Sequence, residues 1–166
     1  GLSVLVDRVN HDAGPGATES TVLGPFYAAD SPWRANGDAI TEDLGAHPLL
    51  VSGHVHDING RALSDATVDV WQNAVNRLYA VQDAGQPPDN LRRRVPADHD
   101  GPVASRTRTP VDRPIPHAGP PGPMLTAAGS PAWPQADMHS AAPHDGVPPA
   151  AHPPRVPRGP APHRAR

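Results

Sequence analysis

Apolar and polar side chains alternate with a period of two in three short stretches of the chain. In the first stretch one face carries Leu49, Val51, Gly53 and Val55. Thr67–Gln72 repeats the pattern, Leu78–Gln82 is a third such stretch, and Asp57–Gly60 supplies turn residues after the first. Short strands separated by turns are typical of an antiparallel sandwich or barrel, so the sequence predicts a mainly β fold.

The first ten residues follow a different period. Leu2, Leu5, Val6 and Val9 recur at helical spacing, and Gly14 and Gly16 follow them. This predicts one short amphipathic helix that ends before the glycines. After Tyr27 about twenty polar residues with scattered turn formers predict a surface loop.

Apolar residues and prolines are unevenly divided along the chain. Residues 1–83 hold 21 of the 29 Leu, Ile, Val and Phe residues and four of the 24 prolines, whereas residues 84–166 hold eight and twenty. Proline removes a ladder donor and fixes φ, so we expect irregular backbone beyond Gln82. From Ala141 to Arg166 the only large aliphatic residues are Val147 and Val156, which predicts a disordered Pro/Arg-rich tail.

Several functional classes are excluded or disfavoured by composition. The absence of cysteine excludes disulfide scaffolds, Cys-ligated metals and thiol nucleophiles. No apolar run approaches the roughly 18 residues of a membrane helix, and no signal-peptide pattern opens the chain. A net charge of −3 argues against general nucleic-acid binding, although Arg92, Arg93 and Arg94 form one dense basic cluster. We expect a soluble, cytoplasmic protein with no nucleic-acid partner and no membrane span.

Taken residue by residue, the candidate chemistry is sparse. His54 and His56 could present two imidazoles to one metal ion, but two solvated histidines on an exposed strand are the favoured interpretation. Asp98-His99-Asp100-Gly101 lacks the spaced oxygen ligands of a calcium loop and is typical of a turn. The two phenols, Tyr27 and Tyr79, are most simply interpreted as half-buried amphipathic side chains.

Longer motifs change this picture. The first runs from Gly16 to Tyr27 and reads GATESTVLGPFY, and PLLVSGHVHD and ATVDVWQN begin at Pro48 and Ala66. The same register continues through Tyr79-Ala80-Val81-Gln82, Asn90-Leu91-Arg92, Asp98-His99-Asp100-Gly101, Pro114-Ile115-Pro116-His117 and Gly119-Pro120. Through Ser140 the chain resembles the intradiol ring-cleavage dioxygenases, and specifically their hydroxyquinol 1,2-dioxygenase branch.

The resemblance implies an antiparallel β-sandwich that holds a non-haem ferric ion, Fe(III), through two tyrosinates and two histidines. Hard phenolate ligands favour Fe(III), which can bind a catecholate and open it to O₂. Tyr79 and His139 fall on two ligand positions, whereas Arg113 and Asp137 stand at the other two. Pro134 stands where the family has a charge-stabilising arginine, so no catalytic position is intact.

The same resemblance implies a substrate and partners. Val22, Leu23, Gly24 and Pro25 match the loop that lines the family's pocket over the catechol ring, although Gly24-Pro25 could merely shape a turn. We expect O₂ and a small aromatic diol or triol as partners, with 1,2,4-trihydroxybenzene (hydroxyquinol) preferred to catechol. The family's homodimer contacts are expected to be lost.

The resemblance and the composition together predict three segments. Residues 1–15 are expected to be the remnant of an N-terminal helical domain. Residues 16–140 are expected to form an incomplete dioxygenase sandwich, degraded over 84–140, and residues 141–166 a disordered tail.

Three interpretations stay open at this point. The chain is an intradiol dioxygenase impaired by two missing ligands, or a catalytically dead sandwich fragment, or a Pro-rich interaction protein. Segments such as Pro153-Pro154-Arg155 make the third conceivable.

Overall fold

A computed structural model describes residues 2–11, 15–20, 22–64, 66–100, 102–113, 121–127, 129, 136–144 and 147–151. Its elements are α1 (Leu2–Asn10), β1 (Pro48–His54), β2 (Thr67–Gln72), the 3₁₀ turn η1 (Ala80–Gln82), β3 (Arg92–Pro96), β4 (Pro102–Arg108), α2 (Pro121–Ala127), β5 (Met138–His144) and β6 (Val147–Ala151). None of the helices in the described ranges has the length and apolar character that crossing a membrane requires.

The six strands form two antiparallel sheets. β1 pairs with β4 in a two-stranded sheet, and the order of the second sheet is β3-β2-β5-β6. This confirms the predicted mainly β, antiparallel fold. β2 lies inside the larger sheet, and each of its residues from Val68 to Gln72 is buried.

Alternate residues of β2 serve opposite faces of this sheet. Val68 and Val70 belong to a buried cluster with Leu91 and Met138. Side chains of β1 and β4, Val51 and Val103, pack against the same cluster, so it forms the core between the two sheets. We call this side of the larger sheet the sandwich face.

The opposite side of the larger sheet carries Trp71. Trp71, Tyr79 and Ala141 form a second buried cluster, against which Leu23 and Phe26 of the N-terminal segment pack. Trp71 pairs in register with His139 of β5, which places the two side chains next to one another. We call this side the site face.

The predicted first strand and its turn are confirmed. In β1 the half-buried Leu49 and Val51 alternate with exposed residues. In the turn, Asp57 Oδ1 accepts hydrogen bonds from the backbone N–H of Asn59 at 2.8 Å and of Arg61 at 2.9 Å. Gly60 has φ +80°, a conformation that glycine adopts without steric cost.

The predicted third strand, Leu78–Gln82, is wrong. Residues Ala80–Gln82 form η1, with Tyr79 in extended backbone just before it. Gln82 donates its backbone N–H to the Tyr79 carbonyl at 2.8 Å, and its side-chain Oε1 accepts the Tyr79 N–H at 3.2 Å. These local bonds satisfy the backbone groups that a strand would offer to a neighbour.

Regular strands also occur where proline content predicted irregular backbone. β3 and β4 lie within residues 84–140, and Pro102 is the first residue of β4, where a missing N–H disturbs the ladder least. β5 extends to His144, beyond the predicted start of the tail at residue 141, because its backbone pairs with β2, Ala141 opposite Asp69.

β6 also lies within the predicted tail. Pro148 and Pro149 fall on this strand, at the edge of the sheet, where proline is tolerated. The rest of the predicted tail, residues 152–166, lies outside the described residues.

A buried arginine ties the loop after Tyr27 to both sheets. Arg93 has no exposed surface, and its guanidinium donates to the carbonyl oxygens of Asp38, of Ala35 at 3.1 Å and of Ala104 at 3.2 Å. Burial holds the pKa of Arg93 below its usual value. The loop therefore adds backbone to the sandwich, and it forms single β-bridges from Trp33 to Arg94 and from Ala39 to Arg106.

Candidate functional site

Tyr79 and His139 meet on the site face although 60 positions separate them in sequence. The Tyr79 hydroxyl Oη lies 3.0 Å from Nε2 of His139. Tyr79 is held by its local bonds to Gln82, and His139 by strand pairing with Trp71. The fold therefore brings the two predicted ligand side chains into direct contact.

Aromatic rings surround this pair. The aromatic cluster consists of Phe26, Tyr27, Trp71, Tyr79 and His139. Phe26 stacks on Tyr79 with centroids 4.5 Å apart, and Trp71 stacks on His139 at 5.2 Å. Tyr27 meets Trp71 edge-on at 5.2 Å. Such contacts fix the ring orientations, because stacked and edge-to-face arrangements are the favoured ones.

Burial sets the protonation of the pair. It raises the pKa of Tyr79 to about 12, the negative charge of Asp137 adds to the rise, and Arg113 opposes it. Burial also lowers the pKa of His139, with Asp137 acting in the opposite direction. At neutral pH Tyr79 is therefore a phenol and His139 a neutral imidazole, so the Tyr79 hydroxyl can donate to Nε2.

Arg113 and Asp137, which stand at the other two ligand positions, also lie here. The Arg113 guanidinium carbon is 4.8 Å from the centroid of the Phe26 ring and 5.8 Å from that of Tyr79. Asp137 Oδ2 is 3.9 Å from His139 Nε2. All four positions that the resemblance assigned to the ligand set are thus brought together.

The residue types at these positions do not fit the ferric site of the family. Tyr79 and His139 supply one phenol and one imidazole, and Asp137 supplies a carboxylate in place of the second imidazole. Arg113 cannot ligate, because its guanidinium stays protonated, and it places a cation where a second phenolate is required. Across the described ranges, no three His, Cys, Asp or Glu side chains converge as a candidate metal site.

The predicted substrate loop contacts the aromatic cluster through one of its four residues. Leu23 is half-buried and packs against Trp71, Tyr79 and Ala141. Val22, Gly24 and Pro25 are exposed, and Gly24 has φ +80°. Gly24-Pro25 therefore forms the turn that returns the chain to the site face, where Phe26 follows it.

Sequence reasoning missed Asp69. Phe26 lies in the motif on which the predicted loop rests, but the sequence carries no signal for its contact with Tyr79. Asp69 is buried on β2, accepts a hydrogen bond from the Tyr27 hydroxyl at 3.2 Å and has its Oδ1 4.0 Å from Nε of Arg94. Within the described residues Asp69 Oδ1 has no hydrogen-bond partner, and burial raises the pKa of this carboxyl.

Other candidate positions lie elsewhere. His54 and His56 are exposed, and His56 Nδ1 contacts the Asp57 carbonyl at 3.0 Å, in keeping with the solvated interpretation. His99 and Asp100 occupy a turn, as predicted. Pro134 lies outside the described residues.

Comparison with known proteins shows which family has this arrangement. The profile of the family described as Dioxygenase matches residues 22–145. The hydroxyquinol 1,2-dioxygenase of a Rhizobium species is 41% identical over 84% of this chain and 48% of its own length. The intradiol ring-cleavage dioxygenase hqdA of Aspergillus niger is 38% identical over 84% of this chain and 42% of its own length.

A solved structure from the same family superposes on this fold. The hydroxyquinol 1,2-dioxygenase of Pseudomonas putida superposes with a TM-score of 0.80 at 42% identity, covering 92% of this chain and 53% of that one. The chain thus spans about half the length of the proteins that it matches. The match to the family profile includes both Tyr79 and His139, and on this evidence the chain belongs to the intradiol ring-cleavage dioxygenase family.

Proposed function

We propose that this chain acts on ring-hydroxylated aromatics as an intradiol dioxygenase of aromatic catabolism whose turnover is strongly reduced. The reaction inserts both atoms of O₂ into 1,2,4-trihydroxybenzene or catechol, between the two hydroxyl-bearing carbons. Similarity to the hydroxyquinol 1,2-dioxygenases supports the substrate class.

One observation carries the proposal. Tyr79 Oη and His139 Nε2 converge to 3.0 Å among stacked aromatic rings, where the resemblance places the reaction centre. A flat aromatic diol could lie against this cluster where Phe26 and His139 are partly exposed and direct its hydroxyl groups towards the polar atoms. The reduction in turnover follows from Arg113 and Asp137, because a site needs its groups within about half an ångström of the productive geometry.

Fe(III) is included in the proposal as the family's cofactor, with weak binding. The purified chain is expected to hold iron well below one equivalent and to lack a strong visible tyrosinate-to-iron absorption band. Metal analysis beside an absorption spectrum measures both. One equivalent of iron with a strong band would contradict the ligand assignment.

Ring cleavage is tested with ¹⁸O₂ and 1,2,4-trihydroxybenzene, with and without added Fe(III). Mass spectrometry of the product should show two ¹⁸O atoms, and turnover should stay below about 0.01 per second, ~100-fold under the low end of ordinary enzyme rates. Tyr79→Phe should abolish the labelled product, and Met124→Ala, at an exposed position of α2, should leave the rate unchanged.

Two outcomes would contradict this proposal. Absence of doubly labelled product at every iron concentration would exclude the activity. Turnover of one per second or more would show that Arg113 and Asp137 do not impair the site.

Restoring the family residues sharpens the test. The double variant Arg113→Tyr with Asp137→His should raise iron content towards one equivalent, because it replaces a cation by a phenol and a carboxylate by an imidazole. Turnover should rise less than iron content, since the surroundings of the site were not restored with it. An equal rise in both would show that these two positions alone limit the reaction.

The proposal places the reaction in residues 16–140 and in the cytoplasm. Fractionation of the cells that produce the chain, followed by immunodetection, tests the location. Recovery outside the cytoplasmic fraction would contradict it.

A further inference from the structure

The two residues that break the ferric ligand set carry opposite charges. Arg113 and Asp137 both act electrostatically on Tyr79 and on His139, so a cation and an anion flank the same hydrogen-bonded pair. Their formal charges cancel. The site is therefore electrically balanced without a metal ion, unlike a set of phenolates that needs a cation at its centre.

Arg113 is oriented by its aromatic neighbours. Its guanidinium lies over the rings of Phe26 and Tyr79, at 4.8 and 5.8 Å from their centroids. In the part of the chain that the structure describes, it forms no ion pair with a carboxylate. A guanidinium held by ring faces keeps its N–H groups for a ligand, and their fork matches two neighbouring oxygen atoms.

Asp137 offers the complementary group. Its side chain is 46% exposed, and Oδ2 lies 3.9 Å from His139 Nε2, beyond hydrogen-bond distance. The carboxylate can therefore accept a hydrogen bond from a hydroxyl group that approaches from solvent. A neutral ring with adjacent hydroxyl groups both donates and accepts, so it satisfies the two residues together.

We propose that Arg113 and Asp137 form a metal-independent binding site for a neutral aromatic ring with adjacent hydroxyl groups. Arg113 donates to the hydroxyl oxygens, and Asp137 accepts a hydrogen bond from a hydroxyl group of the ligand. The ligand class rests on the proposed function, whereas the recognition by these two residues does not use iron or O₂.

The proton count distinguishes this site from a ferric one. With a ferric ion held by Tyr79 and His139, the diol would bind as a catecholate, and the protons that it loses would pass to the buffer. A site made by Arg113 and Asp137 binds the diol with its protons in place. The enthalpy of binding should therefore be the same in buffers whose own protonation enthalpies differ.

Anaerobic titration calorimetry on the full chain tests this, with 1,2,4-trihydroxybenzene or catechol as the ligand and a strong iron chelator present throughout. Binding should have the same Kd with and without chelator, and the same enthalpy in phosphate and in Tris. Arg113→Gln and Asp137→Asn should each weaken binding by at least about tenfold, the effect expected when a charged hydrogen-bond partner is lost.

Matched controls use exposed residues elsewhere on the chain. Asp100→Asn and Arg34→Gln make the same chemical changes at exposed positions and should leave Kd unchanged. Arg113→Lys keeps the charge but loses the fork, and should weaken binding nearly as much as Arg113→Gln. If a variant fails to fold, the chelator and two-buffer measurements on the unaltered chain still decide.

Any one of four results would overturn the inference: loss of binding in chelator, proton release on binding, no binding at all, or variants that bind as the unaltered chain does. Failure of the proposed function gives a different pattern. Binding that passes these tests without any ¹⁸O incorporation would refute ring cleavage alone. Ring cleavage with chelator-sensitive binding would refute this inference alone.

Discussion

The sandwich face and the site face of the larger sheet use the same strands for different purposes. On the sandwich face, β2 and β5 contribute Val70 and Met138 to an aliphatic cluster that packs against the smaller sheet. On the site face the neighbouring residues, Trp71 and His139, meet rings and charges that loops supply. The two sheets can therefore pack fully even where loop residues on the site face have changed, so retention of the fold does not imply retention of the reaction.

The largest loss of stability is expected from a substitution in the core of the sandwich face. Met138 is 1% exposed within the aliphatic cluster, and Met138→Ala should lower the free energy of unfolding by about 2–4 kcal/mol through lost burial and a residual cavity. Met124 is 75% exposed, so Met124→Ala should change the free energy of unfolding by less than about 0.5 kcal/mol. Urea titration followed by circular dichroism measures both, and equal losses would contradict the assigned core.

A smaller effect is expected from the central pair of the site face. Tyr79→Phe removes the hydroxyl that contacts His139 Nε2 and should lower the free energy of unfolding by about 1 kcal/mol. The aliphatic cluster is untouched, so the cooperativity of unfolding should not change. The ¹⁵N shifts of the His139 ring should report the lost hydrogen bond, and unchanged shifts would show that the bond is not formed in solution.

The smallest expected effect is a pH-dependent change in the free energy of unfolding, caused by Asp69 on the site face. Because the folded-state pKa of Asp69 is raised by burial, ionisation of this carboxyl favours the unfolded chain. Its cost is absent below the unfolded pKa of about 3.9 and grows as pH rises through the folded pKa. Asp69→Asn should therefore raise the free energy of unfolding by about 1 kcal/mol at neutral pH.

This gain should disappear as pH falls towards about 3.9. Asp100→Asn makes the same change in an exposed turn and is the control, with an expected change in the free energy of unfolding of less than about 0.5 kcal/mol. Thermal unfolding of the three proteins over a pH series measures the difference. A gain for Asp69→Asn that stays constant with pH would refute the titration of Asp69 as its cause.

The sandwich face was the more predictable of the two. Alternation in β1 and β2 is a property of neighbouring residues, and both strands lie where it predicted them. β3 was not predicted, because its sequence, RRRVP, reads as polar until Arg93 meets the carbonyl oxygens of a distant loop. The stretch from Leu78 was misread because the Gln82 side chain bonds locally, which hydrophobic alternation does not register.

The sequence predicted only those residues of the site that lie in recognisable motifs. The motifs around Tyr79 and His139 indicated both residues, and the fold brings them together. The contact of Phe26 with Tyr79 and Arg113, and the burial of Asp69, depend on how loops and strands pack in space. Spacing along the chain carries no information about such contacts, so they could not have been found without coordinates.

The burial of Arg93 has a consequence for the order of folding. Its guanidinium can leave water only when its carbonyl partners are in place, and those in the loop lie 55 and 58 positions away in sequence, with a third 11 positions away on β4. Before these segments meet, burying the charge is unfavourable, so partial assemblies of β3 are not stabilised. We therefore expect docking of the loop and closure of the two sheets to form one cooperative, late step, slowed by the long loops that must close.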